Sequence, residues 1–145
     1  MKRINEYKKL FGVEKEIDLQ LLKKSYRDLV KEWHPDKFQE NDERKEEVEM
    51  MSRKIIDGYH FLISIAPETH QAQEEEYTSS IMEAGIADIF HKGMVLEITY
   101  MDGNVYEYFG IDEKLYKKMY NADNLNRFAK RNIYSRYIYR KSKSA

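Results

Sequence analysis

A chain of 145 residues holds one domain or two small ones, so any core it builds is modest. Charged residues are 35% and apolar ones 41%, mean hydropathy is −0.82, and the most apolar stretch, Phe61 to Ala66, is far too short to cross a bilayer, which excludes a membrane span. The absence of cysteine excludes disulfides and thiolate metal sites. The net charge of −1 hides an uneven distribution. Residues 1–66 carry 14 basic and 14 acidic side chains, residues 67–92 one and six, and residues 93–145 ten and six, which suggests an acidic spacer between two functional pieces.

In chain order, residues 4–11 predict a short helix with Tyr7, Leu10 and Phe11 on its apolar side, ended by Gly12. Asp18 is a good N-cap for the next helix, with Ile17 and Leu22 placed to staple its entry. Leu19, Leu22, Tyr26, Leu29, Val30 and Trp33 then recur at helical spacing. On the other side Lys24, Arg27 and Lys31 line up three and four residues apart, with Lys23 beside them and Asp28 and Glu32 interrupting the stripe. Pro35 stops this helix and pushes His34 towards an extended conformation, so His34-Pro35-Asp36 is expected on an outward-facing loop. A long helix is expected from about Asp42 to Ala66, its face of Val48, Met51, Ile55, Tyr59, Leu62 and Ala66 packing antiparallel on the second helix. Gly58, in its middle, costs roughly 1 kcal/mol relative to alanine, and close approach to the second helix is expected to justify it.

Tyr7, Leu10, Gly12 and Val13, the run Leu22 to Leu29, His34-Pro35-Asp36-Lys37 and the run Ile56 to Leu62 together resemble a J domain, the module by which DnaJ-type co-chaperones stimulate ATP hydrolysis by DnaK-type heat-shock chaperones. The resemblance implies an all-α domain over residues 1–66. It further implies that His34, Pro35 and Asp36, with Lys23, Lys24, Arg27 and Lys31, contact the chaperone ATPase. In that pattern the basic face is more uniform than here, so Asp28 and Glu32 should weaken the attraction or select a particular partner.

Residues 67–80 read as an acidic linker, in which the polar, mostly helix-forming run 68–80 makes a short fourth helix or a helical linker. Residues 81–90 fit either a helix or the start of a strand. From residue 94 the period becomes two: Leu96, Ile98 and Tyr100 alternate with Val95, Glu97 and Thr99, Asp102-Gly103 signals a hairpin, and Tyr106 and Tyr108 share a face of the next strand. His91-Lys92-Gly93 supplies a preceding turn. Asp112 caps a helix carrying Leu115, Tyr116, Met119 and Tyr120; Asp123 or Asn124 caps another running through Phe128, Ala129 and Ile133 towards Tyr137. The expected fold is α+β: a J-type helical hairpin with short helices, then, over residues 81–145, a three-stranded antiparallel sheet with two helices. Leu96, Ile98, Tyr100, Gly103, Tyr106-Glu107-Tyr108, Ala122, Arg127, Ile133, Arg136 and Tyr137 are similar to the KTSC domain, named after the C-terminus of certain lysyl-tRNA synthetases; the resemblance implies at most a suggestion of RNA binding.

Residues 127–143 interleave Arg127, Lys130, Arg131, Arg136, Arg140, Lys141 and Lys143 with Phe128, Tyr134, Tyr137 and Tyr139, and no acid follows Asp123. Cations for phosphates and aromatics for bases are what single-stranded nucleic acid needs, which makes Tyr106, Tyr108, Arg127, Lys130, Arg131, Arg136 and Arg140 candidate contacts for RNA or a ribosome. The same aromatics are also what a small core requires. His34, His60, His70 and His91 show no metal spacing, and no phosphate-binding glycine loop or nucleophile with a base is present, so neither catalysis nor a metal or other cofactor is expected. The basic start lacks an apolar region behind it, so the expectation is a cytoplasmic protein.

Overall fold

The computed structural model describes residues 2–34 and 43–143, and the chain divides into two compact units, one of Lys2–Thr69 and one beginning at His70. Lys37, Pro35 and Asp36 lie outside the described residues.

The first unit is helical: α1 (Lys2–Phe11), α2 (Leu19–Trp33) and α3 (Lys45–Ile65), followed by the start of α4 (Pro67–Ala72). Asp18 caps α2 as expected, accepting hydrogen bonds from the backbone of Gln20 at 2.9 Å and Leu21 at 3.2 Å. The antiparallel pairing of α2 with α3 and the start of α4 shows in three tethers. Near the start of α2 the Leu19 amide donates to Glu68 at 3.5 Å, midway Tyr26 stacks on Tyr59 at 4.1 Å, and at the end Ser52 donates to the Trp33 carbonyl at 3.3 Å. Ile4, Phe11, Ile17, Leu22, Val48, Ile55, Phe61 and Leu62 are buried between the three helices. α3 starts at Lys45, a few residues later than expected.

Gly58 is buried, but the neighbour that requires it is α1 and not α2. A Cβ there would stand 2.7 Å from Tyr7 Cδ1 and 3.1 Å from Phe11 Cε2. Both are ring atoms, and the Tyr7 ring is itself packed on Phe61 at 5.4 Å, so neither yields cheaply.

The second unit is α+β. Its sheet has the order β1-β2-β3-β4, all antiparallel, from β1 (Ile86–Lys92), β2 (Val95–Tyr100), β3 (Val105–Phe109) and β4 (Ile138–Lys143), with α6 (Glu113–Tyr120) and α7 (Leu125–Asn132) inserted between β3 and β4. Leu96, Ile98 and Tyr100 are buried while Val95, Glu97 and Thr99 are half-buried, so the period-two reading of β2 holds. The Asp102-Gly103 turn closes with Gly103 N donating to Tyr100 O and Tyr100 N to Asn104 O, both at 2.9 Å, and Gly103 takes φ 90°, open chiefly to glycine. Residues 86–90, ambiguous in sequence, belong to β1.

The sheet has four strands and not three. The expected run of helix towards Tyr137 ends at Asn132, Ser135 turns the chain with φ 68°, and Ile138–Lys143 pairs with β3, placing Tyr139 opposite Tyr108 and Arg140 opposite Glu107. Aromatic and β-branched Tyr137, Ile138 and Tyr139 suit a strand, and the Arg140–Glu107 ion pair, 2.6 Å and largely buried, fixes the register. The stretch read as a linker is integral to this unit from His70 on. α5 (Glu74–Thr78) continues into a π-helical turn (Ser79–Ala84), and Tyr77, behind three consecutive glutamates, stacks on Tyr139 at 4.2 Å inside the core.

Gly58→Ala tests the α1–α3 approach. A helix-propensity gain of about 1 kcal/mol opposes an overpacking cost of roughly 1–3 kcal/mol, and the net expectation is a loss of about 1 kcal/mol. A lower urea midpoint at unchanged slope would show it; a higher midpoint would mean that Tyr7 moves aside.

Candidate functional site

Trp33 is the last residue of α2, and His34 leaves the helix with φ −63° and ψ 132°, the extended geometry that a following proline imposes. His34 is exposed. Lys23, Lys24, Arg27 and Lys31 are all exposed on α2, as are Asp28 and Glu32, so the cationic stripe and both carboxylates face solvent together. The opposite side is anchored by buried Leu22 and by the Tyr26–Tyr59 stack, which sets the rotation of the helix about its axis. At its C-terminal end the Arg44 guanidinium lies 5.6 Å over the half-buried Trp33 ring, tying the start of α3 to the residue before His34. The arrangement is an exposed imidazole at the end of a helix that carries four exposed cations, a surface suited to binding.

The candidate nucleic-acid residues separate sharply. Tyr106 and Tyr108 are 1% and 0% exposed, so neither ring face is open to a base, and the stacking role considered for them is ruled out in this conformation. They belong to a cluster of tyrosines. The hydroxyl of Tyr100 shares hydrogen bonds with those of Tyr108 at 2.7 Å and Tyr134 at 2.9 Å, and Tyr108 with Tyr77 at 3.0 Å. Burial pushes every one of these phenols up: Tyr134 to about 12, and Tyr77, Tyr100 and Tyr108 above the ordinary range, with neighbouring hydroxyls modulating the shift. The Tyr106 hydroxyl is buried without a hydrogen-bond partner, its pKa raised to about 12 by burial first and Glu76 second. Ser80 lies near it and offsets a small part of that rise; its own hydroxyl donates to Asp102 at 2.6 Å and accepts from Asn104 at 3.2 Å. Desolvation would raise the Asp102 carboxyl, but the bonds from Ser80 and the Asn104 backbone outweigh it and hold the carboxyl below its usual value.

Of the cations, Arg140 is bound to Glu107 and Lys141 to Glu76, whereas Arg127, Lys130, Arg131 and Arg136 are exposed. Arg127, Lys130 and Arg131 converge on an open groove of about 520 Å³ between α7 and the π-helical turn, lined also by Ile81, Met82 and Asn124. The sequence reading missed a second group. His91 stacks on Tyr116 at 4.8 Å and 14°, and Tyr120, 69% exposed, follows on the same helix 6.2 Å from Tyr116. The i, i+4 spacing of two tyrosines on a short helix with four charged residues was the available signal. Among the described residues, no group of three or more His, Asp or Glu could hold a metal ion, and no helix is long and apolar enough to cross a membrane.

Residues 6–70 match the DnaJ domain and residues 90–137 the KTSC domain. The chain carries a DnaJ domain followed by a KTSC domain. The DnaJ domain is 39% identical over 57 residues to DnaJ homolog subfamily B member 6 of Gallus gallus, covering 39% of this chain and 17% of that protein. It is 33% identical over 60 residues to DnaJ homolog subfamily B member 3 of Mus musculus, covering 41% and 24%, and 34% identical over 61 residues to the chaperone protein DnaJ of Thermotoga maritima, covering 42% and 16%. The chain thus spans less than a quarter of the length of these curated relatives. No solved structure matches at the same stringency.

Two stability predictions follow from the tyrosine cluster of the KTSC domain. Tyr108→Phe strands the hydroxyl of Tyr77, leaves that of Tyr100 with Tyr134 alone and should cost about 1–3 kcal/mol, while Tyr106→Phe removes an unpartnered hydroxyl and should be neutral or stabilising. Denaturant titration of both variants compares them directly. The folded phenols keep their protons where unfolded ones lose them, so stability is intact below pH 10 and falls as pH rises from about 10 through 12. Absorbance at tyrosinate wavelengths should therefore rise in step with loss of circular dichroism; full ionisation of the tyrosines before any unfolding would contradict it.

Proposed function

We propose that this protein is a DnaJ-type co-chaperone that acts without an enzymatic activity of its own. Its DnaJ domain docks on a DnaK-type ATPase through the stripe of Lys23, Lys24, Arg27 and Lys31 and through His34, Pro35 and Asp36, and stimulates ATP hydrolysis. The KTSC domain supplies targeting or presents a client. The observation that carries the reading is the exposed, extended His34 at the end of α2, immediately beside the exposed cations of the same helix. In this mechanism the side chains do no chemistry. They bind one conformation of the ATPase better than another and shift its population by that difference.

The expected partner surface is acidic, since four exposed cations meet it. Asp28 and Glu32 oppose that attraction across a few ångströms of solvent, and the effect is screened by salt. They act as a selectivity filter: a partner surface carrying a cation opposite them docks, and one uniformly acidic docks weakly.

Single-turnover ATP hydrolysis by a DnaK-type chaperone tests the reading. The parent chain should accelerate it, and His34→Gln should return the rate to that of the chaperone alone. Equal acceleration by both chains, or none by either, would remove the proposal. Replacing Asp28 and Glu32 by lysine should lower the concentration needed for half-maximal acceleration on a uniformly acidic partner, with a steeper loss on adding salt.

A further inference from the structure

We propose that the KTSC domain binds single-stranded nucleic acid across the connection between α6 and α7, with a base stacked on Tyr120 and the neighbouring phosphates held by Arg127, Lys130 and Arg131. Two separate features, lining two grooves, flank that connection. One is an aromatic ladder built for rigidity. His91 is fixed by a 2.7 Å hydrogen bond between its Nε2 and the Ile111 carbonyl, Tyr116 lies flat on the imidazole, and Tyr120 continues the row with 69% of its surface open. A groove of about 550 Å³ runs beside the ladder, with Lys92, Glu113 and Lys117 in its wall, the last two ion-paired at 3.4 Å. An exposed tyrosine on a braced support offers stacking area without having to be ordered on binding.

The other feature is cationic. Arg127, Lys130 and Arg131 stand at i, i+3 and i+4 on α7, so they share one face, and that face opens on the groove beside the π-helical turn. Among the described residues none of the three has an ion-pair partner, whereas Arg140 and Lys141 further along the chain are both bound to glutamates. Charge left uncompensated at a concave surface attracts a polyanion. Tyr120, at the end of the ladder, and Asn124, the cap residue of α7 in the wall of the cationic groove, are four positions apart in the chain, at most about 14 Å. A short oligonucleotide reaches both.

The combination decides the ligand class. A glutamate-rich peptide would satisfy the cations but has no planar group for Tyr120; a sequence-tolerant single strand satisfies both. The buried Tyr106 and Tyr108 take no part.

A fluorescently labelled oligo-uridine probe about a dozen nucleotides long, followed by anisotropy with the full chain at low salt, tests this. Saturable binding is expected, weakened about tenfold by Tyr120→Ala with the salt dependence unchanged. Replacing Arg127, Lys130 and Arg131 together by alanine should weaken binding and also flatten the slope of log affinity against log salt by about 2, at roughly 0.7 per lost phosphate contact. All four side chains are exposed, so circular dichroism should not change. No binding at low salt, an unchanged affinity for Tyr120→Ala, or displacement of the probe by a glutamate-rich peptide as readily as by unlabelled RNA would overturn the proposal. His34→Gln should bind the probe like the parent chain, so this proposal and the co-chaperone reading stand or fall separately.

Discussion

The exposed end of α2 depends on one steric constraint, the exclusion of residue 34 from helical backbone angles by the proline that follows it. His34 responds with ψ 132°, and that single dihedral converts the end of an amphipathic helix into a protruding imidazole. The constraint is covalent and local, so it requires nothing from distant parts of the chain. What must come from elsewhere is the helix's rotation, because the same cations turned inward would be useless. Leu22, the Tyr26–Tyr59 stack and the capping by Asp18 supply that rotation.

Much of this was legible in the sequence because its causes are short-range. Caps, the proline stop, the helical spacing of Leu22, Tyr26 and Trp33 and the Asp102-Gly103 turn each operate within a few residues. What escaped were matters of partner identity. Gly58 announces a close approach but cannot say to which helix; the clash is with Tyr7, more than fifty positions away in sequence. β4 was hidden for a related reason. Its residues are cationic and aromatic, which reads as a polar tail until Glu107 and Tyr108 are seen opposite Arg140 and Tyr139.

Tyrosine is the residue for which sequence was least informative. Its ring suits a core and its hydroxyl suits a surface, so period alone cannot choose. In the KTSC domain the choice falls on hydrogen-bond supply. Tyr77, Tyr100, Tyr108 and Tyr134 pack together with their hydroxyls satisfying one another, whereas Tyr120, on a helix with charged neighbours, stays outside. The glutamates at 74–76 misled in the opposite direction, since they surround a ring that the core captures.

The sequence contains a single tryptophan, and it is the residue next to His34. Its indole is half-buried under the Arg44 guanidinium, at the one place where a partner arriving at the helix end would alter its surroundings. Excitation at the red edge of the ultraviolet band therefore watches that corner alone, in a chain whose twelve tyrosines stay dark. The molecule carries its own emission probe, with no label to attach.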